Sequence, residues 1–157
     1  MISELTTIES LFLSYRNGTK KPHDVVRKYL EKIESRNAYY SAYQSVWEEE
    51  AMAAAELATK ALAAGHDLSP LHGVPFALKD IFHVTDKVTT CGAVELSQNF
   101  ATVTATVVRR LVNAGAIILG KTKTVECAFG GWGTNQMTGT PRNPWDDDVH
   151  RIPGGSS

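Results

Sequence analysis

Two short apolar runs with a helical segment between them constrain the fold of this chain more than any other feature. In residues 74–78 large apolar residues alternate with smaller ones, a pattern typical of a core strand, which here ends at Lys79. Residues 116–119 are continuously apolar and predict a second buried strand. Because residues 104–114 show helical spacing and stop at Gly115, the order strand, helix, strand predicts a crossover connection between parallel strands.

The first 66 residues predict three helices and one extended segment. Thr6–Glu9 can form a capping box that starts a first helix, and a second is expected from Pro22 because proline suits the first helical turn. Residues 39–47 are rich in aromatic residues and are predicted to be extended, whereas the alanine-rich residues 48–64 predict a third helix that ends at Gly65. The second helix carries an apolar stripe whose spacing indicates packing: Val26, Tyr29, Leu30 and Ile33.

These elements together predict an α/β fold with a central mixed, largely parallel sheet flanked by helices. A chain of 157 residues that is 43% hydrophobic can bury a core of single-domain size. We expect one unit, with a helical lead-in at about residues 1–66 and a region that carries a candidate lysine and long loops at about residues 67–157.

The overall charge and the cysteine pattern argue against several classes of function. A formal net charge of -1 gives no electrostatic case for binding nucleic acid or an anionic membrane, although a local basic patch is left open. Cys91 and Cys127 are far apart without a CxxC motif, which favours a reducing, cytoplasmic compartment. The histidines are scattered and no stretch approaches membrane-spanning length. We therefore expect no metal, no cofactor and no membrane insertion.

Lys79 is the first candidate for chemistry, because an apolar strand has no ordinary use for a lysine. Burial removes hydration mainly from the charged form of a lysine, so a neutral amine that can accept a proton becomes accessible. Side chains alternate along a strand, which sends Lys79 and Asp80 to opposite faces and argues against a simple local ion pair between them. The alternative is that Lys79 lies at the strand end and extends to water along its methylene groups.

Residues 115–122 match the phosphate-binding pattern G-x-x-x-x-G-K-[ST]. That motif requires a strand before the first glycine and a turn over its four middle residues. Here a helix is predicted before Gly115, and the middle residues 116–119 favour a strand. We therefore reject nucleotide binding at this motif and interpret Gly115 as a helix terminator.

Four motifs carry a resemblance to a known family. They are LHGVPFALKD at 71–80, AGAIILGKT at 114–122, RNPW at 142–145 and IPGGSS at 152–157. Their order is the one seen in amidase-signature enzymes, which the chain resembles over nearly its whole length, including the leading helices. The resemblance implies an amide hydrolase with a Ser-Ser-Lys catalytic group and an α/β/α fold, of which this chain is the N-terminal portion.

The resemblance assigns roles to Lys79 and Ser156. Lys79 matches the family's catalytic lysine, and Ser156 matches its bridging serine, whose preceding peptide bond is cis in that family. In the implied mechanism neutral Lys79 takes a proton from Ser156, which takes one from a nucleophilic serine that attacks the amide carbonyl.

The family's nucleophilic serine and oxyanion hole lie downstream of the IPGGSS motif. We therefore expect this chain to be a truncated, cleaved or partial amidase, inactive as given, in which Ser157 provides only an additional hydroxyl beside the substrate. The alternative is a non-catalytic fragment or assembly subunit of an amidase or amidotransferase complex.

Residues 130–135, with the sequence GGWGTN, correspond to the family loop beside the scissile bond. Gly130, Gly131 and Trp132 are therefore candidate substrate-binding residues. Trp132 and Lys123 differ from the residues typical of the glutaminyl-tRNA amidotransferase branch, which makes that branch less favoured. Trp132 can form the wall of a pocket for a flat amide or urea-like substrate, or it can cap the core under a loop. The expected partner is a small-molecule amide substrate, and self-association into a homo-oligomer is left open.

Overall fold

The computed structural model describes residues 6–145, which form a mixed α/β fold. It contains four α-helices and three strands within that range. In chain order these are α1 (Ile8–Arg16), α2 (Pro22–Tyr40), β1 (Tyr43–Val46), α3 (Glu48–Ala63), β2 (Pro75–Lys79), α4 (Thr106–Asn113) and β3 (Ile117–Thr122). Two short 3-10 turns, Val94–Leu96 and Glu126–Ala128, lie in the connecting segments.

The three strands form one mixed sheet in the order β1, β3, β2. Strands β2 and β3 pair in parallel, with Pro75 opposite Ile117 and Lys79 opposite Thr122. Helix α4 lies between them in the chain, which confirms the predicted crossover. Strand β1 pairs with β3 in the antiparallel direction, so the sheet is mixed as expected.

The N-cap of helix α1 is Thr7, one residue later than the Thr6 expected from the predicted capping box. Thr7 is the N-cap: its hydroxyl accepts a hydrogen bond from the Ser10 amide at 3.0 Å, and the Ser10 hydroxyl accepts one from the Thr7 amide at 2.9 Å. The prediction that Thr6 and Glu9 form this box is therefore wrong. Serine can replace the usual acidic residue because its short side chain still reaches the N-cap amide.

Helix α2 begins at Pro22 as predicted, but it runs to Tyr40 and so takes in residues that were expected to be extended. Ser41 ends the helix in a left-handed conformation, with φ of 52°. The Asn37 side chain then receives a hydrogen bond from the Tyr43 amide at 2.8 Å and donates one to the Tyr43 carbonyl at 3.2 Å. These bonds fix the turn, and the strand is limited to residues 43–46.

The main core lies between helices α2 and α3 and the sheet. Small side chains on α3 allow its backbone to approach β3 closely, and the predicted stripe on α2 packs into the same cluster. The buried members are Val26, Leu30, Ala51, Ala55, Ala58, Ile117 and Leu119, with Tyr29 and Ile33 partly buried against them. The predicted packing role of the α2 stripe is thus confirmed.

Gly120 lies where the pairing of β3 with β2 is irregular, and it pairs with Val46 of β1 on its other side. The register with β2 shifts between Phe76 and Ala77, so that Ala77 pairs with Gly120. Gly120 has φ of +150°, and a Cβ atom added there would lie 2.1 Å from the backbone oxygen of Ser45 in β1. Only glycine fits this crossing of the three strands without moving backbone.

His72 fills the space beneath the turn that leads into β2. It is 4% exposed, and its Nδ1 accepts a hydrogen bond from the Leu68 amide at 3.3 Å. A Cβ atom added to Gly115 would lie 2.7 Å from the His72 ring, so the end of α4 and the entry to β2 are in close contact. Burial lowers the pKa of His72, whereas the nearby Asp67 carboxylate opposes that shift.

The substitution Gly120→Ala should destabilise the protein by about 2–4 kcal/mol, because the added methyl group cannot be placed without displacing β1. Urea unfolding followed by circular dichroism measures this loss. Gly131→Ala is the control, since nothing lies within 4 Å of its added Cβ. Equal stability of the two variants would contradict the proposed constraint at Gly120.

Stability should fall as pH is lowered from about 7 to about 5, because His72 binds a proton more readily in the unfolded chain than in the folded one. Above the pKa that His72 has in the unfolded chain, this residue adds no pH dependence to the free energy of unfolding. In His72→Gln this part of the slope should vanish, as measured by urea unfolding across that range. The same substitution at the exposed His66 should leave the wild-type pH dependence in place. An unchanged slope in His72→Gln would refute the assignment.

Candidate functional site

The carboxyl ends of β2 and β3 lie side by side and bring together the polar residues that follow them. Lys79 is the last residue of β2, pairs with Thr122 in register and is half-buried. The next residue, Asp80, is 1% exposed and donates its backbone amide to the Thr122 carbonyl at 3.0 Å. This edge of a parallel strand pair is where α/β proteins commonly place their sites.

Asp80 and Lys121 form an ion pair that is buried beside Lys79. Lys121 Nζ lies 3.1 Å from Asp80 Oδ1, and Lys121 is completely buried. The ammonium group also donates to the Val88 carbonyl at 2.7 Å and to the Thr89 hydroxyl at 2.6 Å. Burial lowers the pKa of Lys121, and the Asp80 carboxylate acts in the opposite direction. The three oxygen contacts are what make burial of the lysine tolerable.

The second carboxylate oxygen of Asp80 holds the loop around Thr90. Asp80 Oδ2 accepts hydrogen bonds from the amide and from the hydroxyl of Thr90, at 3.1 and 2.5 Å. The Thr90 hydroxyl in turn accepts a hydrogen bond from the Gly92 amide at 3.0 Å. The loop is therefore attached to the residue that follows Lys79 through buried polar groups.

Asn135 attaches a further loop to the same region. Its side-chain nitrogen donates to the carbonyls of Gly92 at 2.7 Å and Thr124 at 3.1 Å. Its side-chain oxygen accepts from the amides of Met137 at 3.0 Å and Thr138 at 2.9 Å. Asn135 is 4% exposed, so the whole hydrogen-bonding capacity of a buried amide is used.

The candidate substrate-binding residues precede Asn135 on an exposed loop. Gly130, Gly131 and Trp132 are all exposed, and Trp132 has 76% of its surface accessible. Among the described residues Trp132 is therefore not packed as a cap on the core. The far side of this loop is held by Lys123, whose Nζ donates to the Ser41 hydroxyl at 2.7 Å and to the Thr138 carbonyl. Burial lowers the pKa of Lys123.

Two predicted site residues, Ser156 and Ser157, lie outside the described residues, as does the predicted cis bond before Ser156. Lys79 and residues 130–132 are placed on segments that buried hydrogen bonds connect. Sequence reasoning missed Asp80, Lys121 and Asn135 as parts of this region. The signal for Lys121 was its position directly after the apolar run 116–119 and Gly120, where a lysine needs a buried partner.

The rejected phosphate-binding pattern is a strand in the structure. Residues 117–122 form β3, and Gly115 ends α4 with φ of +88°. Lys121 is completely buried and is held by Asp80, so it does not reach a nucleotide phosphate. Nucleotide binding by this motif is therefore excluded.

Among residues 6–145, no three histidine, cysteine or acidic side chains come together as a metal site would require. Within the same range, none of the helices combines the length and the apolar character that crossing a bilayer demands. Cys91 and Cys127 are free thiols.

Comparison with known proteins connects this geometry to a family. The amidase family model matches residues 24–157. A glutamyl-tRNA(Gln) amidotransferase subunit from Mycolicibacterium gilvum is 41% identical over 158 residues, which cover 99% of this chain and 32% of that protein.

Two solved structures share the fold. One, from work on a vestigial protein complex and the evolutionary origins of an s-triazine catabolic enzyme, has a TM-score of 0.89 and 30% identity over 96% of this chain and 33% of its own. The native peptide amidase from Stenotrophomonas maltophilia has a TM-score of 0.82 and 27% identity over 91% of this chain and 31% of its own.

The chain spans about a third of the length of these relatives. The family model nevertheless matches well over half of the chain, and the matched residues include the strands that carry Lys79 and Lys121. The fold class predicted from the sequence is confirmed by these amidase-signature structures. The chain belongs to the amidase family.

Proposed function

We propose that this chain is the lysine-bearing part of an amidohydrolase that cleaves a small carboxamide or urea-like C–N bond through an acyl-enzyme. The observation that carries the proposal is the position of Lys79 at the carboxyl end of β2, within a segment that matches the family. The buried Asp80–Lys121 pair immediately behind it supports the proposal, because it gives the strand end a fixed position.

In the proposed reaction Lys79 moves a proton and forms no bond to the substrate. Neutral Lys79 accepts a proton from the Ser156 hydroxyl, which accepts the proton of a nucleophilic serine as that oxygen attacks the amide carbon. The C–N bond breaks when the amine leaves with a proton returned through Ser156. Water then attacks the ester and releases the acid, which restores the serine.

We further propose that the nucleophile and the oxyanion hole are supplied by amidase-domain sequence beyond the 157 residues, which form the N-terminal portion of that single domain. The share of the relatives that the chain covers supports this division. On this proposal the 157 residues alone do not turn over amides, and Ser157 contributes only a hydroxyl near the substrate.

The substrate would lie against residues 130–132. Two glycines allow close approach of a substrate to the backbone, and the exposed Trp132 offers an aromatic face beside them. This combination suits a flat amide whose carbonyl lies near Lys79 and whose remainder stacks on the indole ring.

A second candidate is the amidase component of an amidotransferase, in which the ammonia released from an amide donor is passed on. The 41% identity to a protein of the glutamyl-tRNA(Gln) amidotransferase favours it. The two candidates differ in their donor. Faster hydrolysis of glutamine, measured by ammonia release, than of aryl amides, measured by arylamine release, would favour the second candidate. A third candidate, a non-catalytic assembly subunit, requires that no amide is cleaved.

Lys79→Ala should lower kcat/KM for p-nitroacetanilide by about 10²–10⁴-fold in the full-length protein, because the proton-transfer group is lost. Release of p-nitroaniline, followed by absorbance, measures the rate. Lys60→Ala is the control, since Lys60 is exposed on α3 and paired with Glu56 on the same helix. If both variants keep wild-type activity while folded, the catalytic assignment of Lys79 is wrong.

Trp132→Ala should raise KM for p-nitroacetanilide by about 3- to 10-fold, because an aromatic stacking contact is lost. Turnover of acetamide, which has no ring, should change less. The matched control is Phe129→Ala, which removes a neighbouring aromatic side chain that is 92% exposed. Equal effects of Trp132→Ala on both substrates would argue against stacking at Trp132.

A further inference from the structure

Four buried residues join the strand end that carries Lys79 to the loop that carries Trp132. We call Asp80, Thr90, Gly92 and Asn135 the buried bridge. Asp80 accepts from Thr90, Thr90 accepts from the Gly92 amide, and the Gly92 carbonyl accepts from Asn135. The most exposed of the three side chains in the buried bridge, Thr90, is only 7% exposed.

The direction of every hydrogen bond in the buried bridge is determined by the groups present. The single proton of the Thr90 hydroxyl is donated to the Asp80 carboxylate, which can only accept. The hydroxyl oxygen is then free to accept the Gly92 amide proton, and the Gly92 carbonyl can accept only from the amide nitrogen of Asn135. The protons of the bridge therefore have one arrangement, in which each of these groups is paired.

Close packing removes the remaining freedom at the centre of the bridge. Gly92 has φ of +74°, and a Cβ atom added there would lie 2.6 Å from the Thr124 carbonyl oxygen and 2.9 Å from the Asn135 side-chain nitrogen. The backbone of the Thr90 loop is thus pressed against the segment after β3. A side chain at this position would therefore collide with both the segment after β3 and Asn135.

We propose that the buried bridge is a positioning device that holds Lys79 and residues 130–132 in one fixed relation, with Thr90 and Asn135 as positioning residues. The proposal rests on the proposed function. Lys79 must meet the reacting serine while the loop holds the amide, and an error of about 1 Å in such a relation can cost about 100-fold in rate. Neither Thr90 nor Asn135 is proposed to touch the substrate.

The test uses the full-length protein and two substrates with the same acetyl group. In p-nitroacetanilide the leaving nitrogen needs a proton, whereas the p-nitrophenolate of p-nitrophenyl acetate leaves without one. Misplacement of Lys79 therefore lowers anilide hydrolysis more than ester hydrolysis. A general loss of folded protein lowers both rates equally, so the ratio of the two kcat values separates positioning from stability.

Thr90→Val keeps the shape of the side chain and removes the central hydroxyl. We expect the anilide-to-ester ratio to fall by about 10-fold or more, and Thr90→Ser, which keeps the hydroxyl, to restore it to within about 3-fold of wild type. Thr59→Val is the matched control: it removes a half-buried hydroxyl on α3 that donates to the Ala55 carbonyl and accepts from the His23 amide, and that belongs neither to the bridge nor to the ion pair. It should lower stability and leave the ratio unchanged.

Asn135→Ser removes the hydrogen bond to the Gly92 carbonyl at the other end of the bridge. It takes the place of Thr90→Val in the test if that variant does not fold. The Thr90→Val, Asn135→Ser double variant should lose no more of the ratio than the worse single variant, because both substitutions break one unit. Multiplied losses, or a wild-type ratio in folded Thr90→Val, would overturn the proposal. If one of these outcomes occurs, Lys79→Ala in the same assay identifies the cause. An active Lys79→Ala variant means that the proposed function is wrong, whereas an inactive one means that only the proposal for the bridge is wrong.

Discussion

The buried ion pair between Asp80 and Lys121 is the interaction on which the described site depends. Two charges removed from water are costly, and they persist only where further polar groups satisfy them. Here Val88 and Thr89 complete the shell of the ammonium group, and Thr90 completes that of the carboxylate. The pair therefore fixes three separate segments at once: the ends of β2 and β3, and the loop that follows β2.

The two neighbouring lysines, Lys79 and Lys121, therefore lie in different surroundings. Lys121 is completely buried and locked by its partners, whereas the half-buried Lys79 lies on a strand end that the locked pair immobilises. For the proton-transfer role proposed for Lys79, this arrangement would set the geometry in advance through residues that do not themselves react. The strand register, Lys79 beside Thr122, places both lysines at the same edge of the sheet.

Local spacing was sufficient to predict the elements whose form depends on their own side chains. The run 74–78, the helical segment before Gly115 and the apolar run 116–119 predicted the crossover because burial on a strand or helix repeats with a local period. The extent of α2 could not be predicted in this way. Its end depends on Ser41 in a left-handed conformation and on bonds between Asn37 and Tyr43, while the aromatic residues 39–40 suit helix and strand equally.

Sequence reasoning could predict a site residue only where the residues around it in the chain indicate its role. Lys79 stands out because its own strand is apolar, and the family motif supplies the expectation for Ser156, which lies outside the described residues. The parts played by Lys121 and Asn135 depend on partners far away in the chain. The four hydrogen bonds of Asn135 go to residues 92, 124, 137 and 138. No periodic pattern in the sequence predicts these contacts.

Among residues 6–145, β2 is an outer strand of the sheet: β3 pairs with one of its sides. Within that range no strand pairs with its other side, and an outer strand of this kind is the place where a further strand can add to a sheet. A strand docked there would lengthen the sheet and press directly on the backbone of Lys79. The placement of Lys79 would then depend on that strand as well as on β3, so substitutions in the added strand would act on Lys79 through its backbone.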